Sequence, residues 1–310
     1  MNEVRSNRIK TDECIRILSG ILQCGKTEIR DLQLIKGGMT NHSYVFGFRD
    51  ERYLFRLPGE GTQELINRHQ EVEVHHAIKG YGLCDDPVYI DAENGYKITR
   101  FYENARCCDP YNETEIRACM DKLKSLHRMR LEVRHSFDLY GEILRYESLC
   151  AGHKERFPDY EETKDHVMEL KRYVDGCKRE RVLSHIDAVP DNFLILDAGA
   201  EGIIHLTDWE YAGMQDPHLD IAMFAVYSNY SKEQADHLID LYFEDEGGCD
   251  KTTRVKIYCY IAAAGLLWSN WTGYKEKHGI EYGAYGEEQY RYARDYCRYA
   301  VMRMDDQRDH

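Results

Sequence analysis

The chain has 310 residues, 43% hydrophobic and 31% charged, the balance of a folded protein large enough for two compact lobes. Acidic side chains outnumber basic ones 55 to 41, and the net charge of -14 argues against a nucleic-acid partner and favours cationic ligands. Eleven cysteines, an odd number, and a polar start, MNEVRSNRIKTDE, predict reduced thiols, no signal peptide and a cytoplasmic location, and no apolar run reaches the ~20 residues of a membrane span.

Apolar positions recurring on one face predict a helix over 10–23, closed by Cys24-Gly25-Lys26. Three short strands follow, over 32–35, 44–48 and 53–57, separated by Gly37-Gly38 and the turn Arg49-Asp50-Glu51. A helix over 63–79 ends at Gly80, and two strands, 87–90 and 96–101, flank the turn Glu93-Asn94-Gly95. Beyond Glu103 the pattern becomes helical, near 113–129, 159–174, 234–243, 252–271 and 287–304, with a further helix after Asp220. Short apolar runs at 182–183, 193–196 and 203–206 interrupt it. This predicts an α+β chain with a sheet-rich lobe over 1–102 and a larger, mostly helical lobe over 103–310, meeting across a cleft.

The interruption carries the chemistry. It reads Ser184-His-Ile-Asp187-Ala-Val-Pro-Asp-Asn192, then Thr207-Asp208-Trp-Glu210-Tyr after two short strands. Phosphoryl transfer needs a carboxylate beside the attacking hydroxyl and oxygen ligands for Mg2+ against the nucleotide phosphates. Asp187 suits the first role, Asn192 and Asp208 the second, and His185 supports the loop. The order and strand context of all four residues are those of a kinase rather than of chance turn residues.

With Gly37-Gly-Met-Thr-Asn41, Phe55-Arg-Leu-Pro-Gly59, Leu65-Ile-Asn-Arg-His-Gln-Glu71, Asp208-Trp-Glu-Tyr211, Asp216-Pro217 with Asp220, and Trp268-Ser-Asn-Trp271, the chain resembles the choline and ethanolamine kinases. These form a branch of the aminoglycoside-phosphotransferase-like kinases with a two-lobed protein-kinase-like fold. The resemblance implies that ATP is the co-substrate and Mg2+ the metal. Gly37 and Gly38 would cover the phosphates, where glycine lets backbone approach an anion, and Thr40 and Asn41 would also contact the nucleotide. Arg56 would contact phosphate and pair with Glu71, Glu73 being the weaker alternative. Many relatives carry Lys at the position of Arg56, and the two are not interchangeable. The adenine would lie near Phe101 to Asn104, which includes Glu103, and Asp220 would brace the catalytic loop.

The resemblance also suggests an aromatic cage. Trp268 and Trp271, three apart on one helical face, would form it with Tyr282 and Tyr230; Glu210 would hold the substrate, reach a metal through water or line the pocket, and Tyr227 and Tyr285 are weaker candidates. Aromatic faces attract a quaternary ammonium by ~0.5 to 2 kcal/mol per ring. The expected substrate is therefore choline or a related amino alcohol, with neither nucleic acid nor membrane as partner. Ethanolamine kinase and aminoglycoside phosphotransferase are the alternatives within this chemistry, and an inactive kinase-like binding module is the alternative outside it. Nothing in the sequence sets the oligomeric state.

Overall fold

In the first hundred residues the alternating apolar positions pair as an antiparallel sheet. The computed structural model describes residues 2–35, 41–59, 62–84, 86–150, 156–196 and 203–308. It divides into two compact units, Met1–Ala105 and Arg106–His310.

In the first unit, helix α1 (Asn2–Leu22) precedes strands β1 (Arg30–Leu34), β2 (Asn41–Phe48) and β3 (Glu51–Pro58). Helix α2 (Arg68–Ile78) follows, then β4 (Tyr89–Ile90) and β5 (Lys97–Arg100), and the sheet order is β1-β2-β3-β5-β4. Arg49 turns the β2–β3 hairpin with a φ of 54°, the left-handed geometry that tight hairpins use. Buried Cys14 and Leu18 from α1 pack with Tyr44, Phe46, Phe55 and Ile98 from the strands. The β3–β5 register places Arg56 opposite Lys97. Asn67 caps α2, its side chain accepting from the backbone of His69 and Gln70, so the helix begins five residues later than its periodicity suggests.

In the second unit, β6 (Arg106–Cys107) leads into α3 (Glu113–Arg128), α4 (Leu139–Leu149) and α5 (Tyr160–Gly176). The periodicity reading misses α4 because Gly141 in its first turn weakens the helical signal. Asp138 restores the helix start by accepting from the Gly141 amide at 3.1 Å. Strands β7 (Val182–Ser184), β8 (Phe193–Leu196), β9 (Ile203–Leu206) and β10 (Gly213–Gln215) make two small sheets, β6-β8-β9 and β7-β10. The chain ends in α6 (His218–Tyr227), α7 (Lys232–Phe243), α8 (Lys251–Lys277) and α9 (Tyr285–Arg308). Helix α8 is buried on all sides along most of its length, as its apolar run predicts, and packs on α4, α5, α6 and α9. Gly265 permits the α8–α9 approach, since a Cβ there would stand 2.6 Å from the Gln289 carbonyl oxygen. All eleven cysteines are free thiols. Among the described residues no helix is long and apolar enough to cross a membrane.

Candidate active site

The loop after β7 is held by one carboxylate. Asp220, fully buried in the first turn of α6, accepts from the backbone amides of His185 at 2.9 Å and Ile186 at 2.7 Å. It also pairs with His127 Nε2 at 2.8 Å, while His127 Nδ1 meets the Tyr242 hydroxyl at 2.7 Å. With Nε2–H donating to the carboxylate, Nδ1 is the acceptor for the tyrosine. These bonds hold Ile186 at a φ of 69°, a left-handed conformation that costs a β-branched residue ~1 to 3 kcal/mol. His185 lies edge-on to Trp209 at 4.6 Å, and its Nε2 reaches the Thr207 carbonyl at 2.9 Å. Burial lowers its pKa, so the imidazole is neutral and structural.

Asp187 follows this constrained residue. Asn192 Nδ2 donates to its carbonyl at 2.8 Å and to its carboxylate at 3.0 Å. The segments carrying Asn192 and Asp208 converge because β8 and β9 pair with Phe193 opposite Leu206, and the Thr207 amide donates to the Asn192 carbonyl at 2.8 Å. Asp208 adopts φ 63° and ψ 62°, turning the chain into the short turn Trp209–Tyr211. Burial, then the carboxylates of Asp208 and Glu210, push the Asp187 carboxyl up to about 8.

That shift tests the fit of a metal. Asp187, Asp208 and Glu210 concentrate like charge, and the Asn192 amide points its nitrogen at Asp187, leaving its oxygen as the complementary donor. Mg2+ binds through one or two carboxylates and takes its other ligands from phosphate and water. The donor set of Asn192 and Asp208 suits it, although among the described residues no three His, Cys, Asp or Glu side chains gather into a cluster able to hold a metal alone.

Both tryptophans of the expected cage meet. Trp268 and Trp271 lie edge-to-face at 6.0 Å, Tyr282 sits 5.1 Å from Trp271, and Tyr211 adds an edge contact to Trp268 at 5.8 Å. In the sequence Tyr211 belongs to the Asp208 motif, and only the fold brings it to this cluster. Tyr230 stands elsewhere: its hydroxyl donates to the Pro110 carbonyl and its ring contacts Tyr111 and Phe224, and among the described residues it makes no ring contact with the tryptophan pair. Its position near the end of α6 turns it to the segment before α3, which corrects the expectation that it belongs to the cage. Tyr227 donates to Asp191 at 2.6 Å and contacts Tyr285 at 6.2 Å.

In the first unit, Arg56 and Glu71 form a buried two-pronged pair at 2.6 and 2.7 Å, so Glu71 rather than Glu73 is the partner. Arg68 at 2.9 Å and Lys97 at 3.0 Å share the same carboxylate, and Arg68 also donates to Asn41 Oδ1 at 3.1 Å. Burial opposes ionisation of Glu71, but Lys97, Arg56 and Arg68 hold its carboxyl well below the ordinary value. Three cations around one carboxylate leave surplus positive charge, which suits a bound anion. Lys97 lies outside the sequence motifs, and Arg68 sits in one without an assigned role; the strand register and the helix turn bring both to Glu71. Glu103 is exposed and pairs with Arg52 at 2.9 Å. Gly37, Gly38 and Thr40 lie outside the described residues.

The fold and this constellation define a protein-kinase-like phosphotransferase that acts on an alcohol. The family model described as choline/ethanolamine kinase matches residues 32–240. Protein LicA of Haemophilus influenzae is 30% identical over 263 residues, which is 80% of this chain and 75% of the relative. The crystal structure of choline kinase LicA from Streptococcus pneumoniae superposes with a TM-score of 0.79 at 28% identity, covering 93% of this chain and 98% of that one. A LicA crystal structure in complex with AMP gives 0.74 at 30% identity, covering 88% and 92%. The chain belongs to the choline/ethanolamine kinase family.

Proposed function

We propose that the protein transfers the γ-phosphate of ATP to the hydroxyl of choline, giving phosphocholine and ADP. The observation that carries the choice of substrate is the cluster of Tyr211, Trp268, Trp271 and Tyr282, in which Tyr211 follows Glu210 and feels the charges of Glu210 and Asp187. Aromatic faces recognise a trimethylammonium that can donate no N–H hydrogen bond, and Glu210 adds a compensating charge.

Asp187 orients the choline hydroxyl and accepts its proton. The hydroxyl oxygen forms a bond to the γ-phosphorus as the bond to the ADP bridging oxygen breaks. Asn192 and Asp208 are the residues that would hold Mg2+, whose charge offsets that of the nucleotide phosphates when bound. It would also favour the carboxylate form of Asp187. Asp220 and His185 keep the loop in place. In the first unit Arg56, held by Glu71, is assigned to nucleotide phosphate together with Gly37 and Gly38, and Thr40, Asn41 and Glu103 to the rest of the nucleotide. The free thiols accord with a cytoplasmic enzyme.

An ADP-release assay with choline, ethanolamine and aminoglycosides, each with ATP or GTP and with or without Mg2+, tests this reading. Choline with ATP and Mg2+ is expected to turn over best. Asp187→Asn is expected to lower kcat by at least about a hundredfold with the fold intact. Near-normal turnover by that variant removes Asp187 from its role, and ligand binding without turnover by the wild type would favour an inactive binding module.

A further inference from the structure

A buried cation already lies against the aromatic cluster. Lys275 is on the last full turn of α8, four residues after Trp271 and hence on the same helical face. The residue is only 1% exposed, and its ammonium stands 5.3 Å from the centre of the Trp271 ring. Among the described residues this ammonium makes no hydrogen bond. Lysine is almost never buried without a partner, because losing water costs the charged form several kcal/mol unless acceptors replace it.

The surroundings offer little compensation. Glu142 is tied to Arg145, Glu147 to Lys164, and Glu276 and Glu287 to Arg156. Glu210, on the turn after Asp208, is the opposite charge that acts on Lys275. Burial pulls the Lys275 pKa down, and Glu210 opposes the shift. Trp271 itself is only 2% exposed, enclosed by the Lys275 ammonium, the tilted Tyr282 ring and the Trp268 edge. The protein's own cation therefore uses the aromatic surface and the carboxylate that a substrate ammonium needs.

We propose that Lys275 is a specificity-determining residue of the amine pocket, an internal cation that a substrate alkylammonium must neutralise or displace. The inference rests on the reading of the protein as a kinase of a cationic alcohol. Two positive charges in one apolar pocket, sharing Glu210, repel each other more strongly than they would in water. A substrate with a fixed charge, such as choline, cannot relieve this by losing a proton, so Lys275 gives its proton to solvent or swings off Trp271. An uncharged alcohol of the same shape meets no such repulsion.

The test compares choline with 3,3-dimethylbutan-1-ol, its neutral carbon isostere, in steady-state kinetics across a series of pH values from neutral to alkaline. In the wild type the KM for choline is expected to fall about tenfold as pH rises, while that of the isostere stays level. Lys275→Met is expected to give a low choline KM that no longer changes with pH, again without effect on the isostere. Lys275→Arg keeps a permanent charge and serves as the second variant, with a high choline KM at every pH. Calorimetry of choline binding in two buffers of different ionisation enthalpy reads proton release directly, and release is expected in the wild type alone. If the wild type phosphorylates choline but Lys275→Met leaves its KM profile unchanged, or shifts choline and isostere alike, the role of Lys275 is wrong and the kinase reading stands. If the wild type neither binds nor phosphorylates choline, both fall together.

Discussion

Replacing Asp220 with Ala takes the common acceptor from three buried donors, the amides of His185 and Ile186 and the Nε2–H of His127. Hydrogen bonds to a charged acceptor each contribute ~1.5 to 3 kcal/mol, and abandoned buried donors keep their desolvation penalty. Because the three share one carboxylate they are not additive, and a loss of ~3 to 6 kcal/mol is expected, a large part of the ~5 to 15 kcal/mol that holds a domain together. The same change frees Ile186 from its left-handed conformation, so Asp187 next to it loses its aim and kcat falls by about a hundredfold or more in whatever protein remains folded. Urea unfolding followed by tryptophan fluorescence reports the second unit, because Trp209, Trp268 and Trp271 all lie there. Ile186→Gly supplies the control, since glycine accepts a positive φ without strain and should recover part of the activity in the Asp220→Ala background. A stability loss under ~1 kcal/mol together with normal turnover for Asp220→Ala would refute the account of the loop as carboxylate-held.

Stability of the first unit should respond to acid through His75. Burial, then Lys97, lowers its pKa from 6.5 to about 3, so below pH 6.5 the unfolded chain takes up a proton that the folded one refuses. Stability is expected to fall by ~1.4 kcal/mol per pH unit down to about pH 3, and His75→Gln should flatten that slope in urea melts across this range. Glu71 acts in the same direction at lower pH: its depressed pKa contributes stability above the ordinary carboxylate value, lost as pH falls through the folded one, and Glu71→Gln should remove that dependence along with the Arg56 pair. Gly265→Ala forces α8 and α9 apart where a methyl group would stand 2.6 Å from the Gln289 carbonyl, and thermal unfolding should show a loss of ~1 to 3 kcal/mol.

Much of the reactive segment was legible in the chain because its parts are close in sequence and their spacing is itself the geometry. Asp187, Asn192 and Asp208 lie within one strand-turn-strand passage, and a β8–β9 hairpin can bring them together in essentially one way. Trp268 and Trp271 share a helical face for the same reason of short-range periodicity. Other positions depended on which elements pack. Tyr230 lies near Trp268 and Trp271 in expectation but is drawn to Pro110 by the path after α6, and Tyr211 joins the cluster from a different motif.

The sequence by itself determined the reaction class and the sheet-and-helix division, while the structure chose Glu71 over Glu73 as the partner of Arg56. Periodicity, turn residues and a short motif depend on neighbours along the chain. Only the tertiary structure decided the charge environment. Lys97 reaches Glu71 through the β3–β5 register, His127 reaches Asp220 from a helix 93 positions away, and Lys275 loses its water because α8 is enclosed by four other helices. Burial and long-range contact set those charges, and neither is written in local sequence.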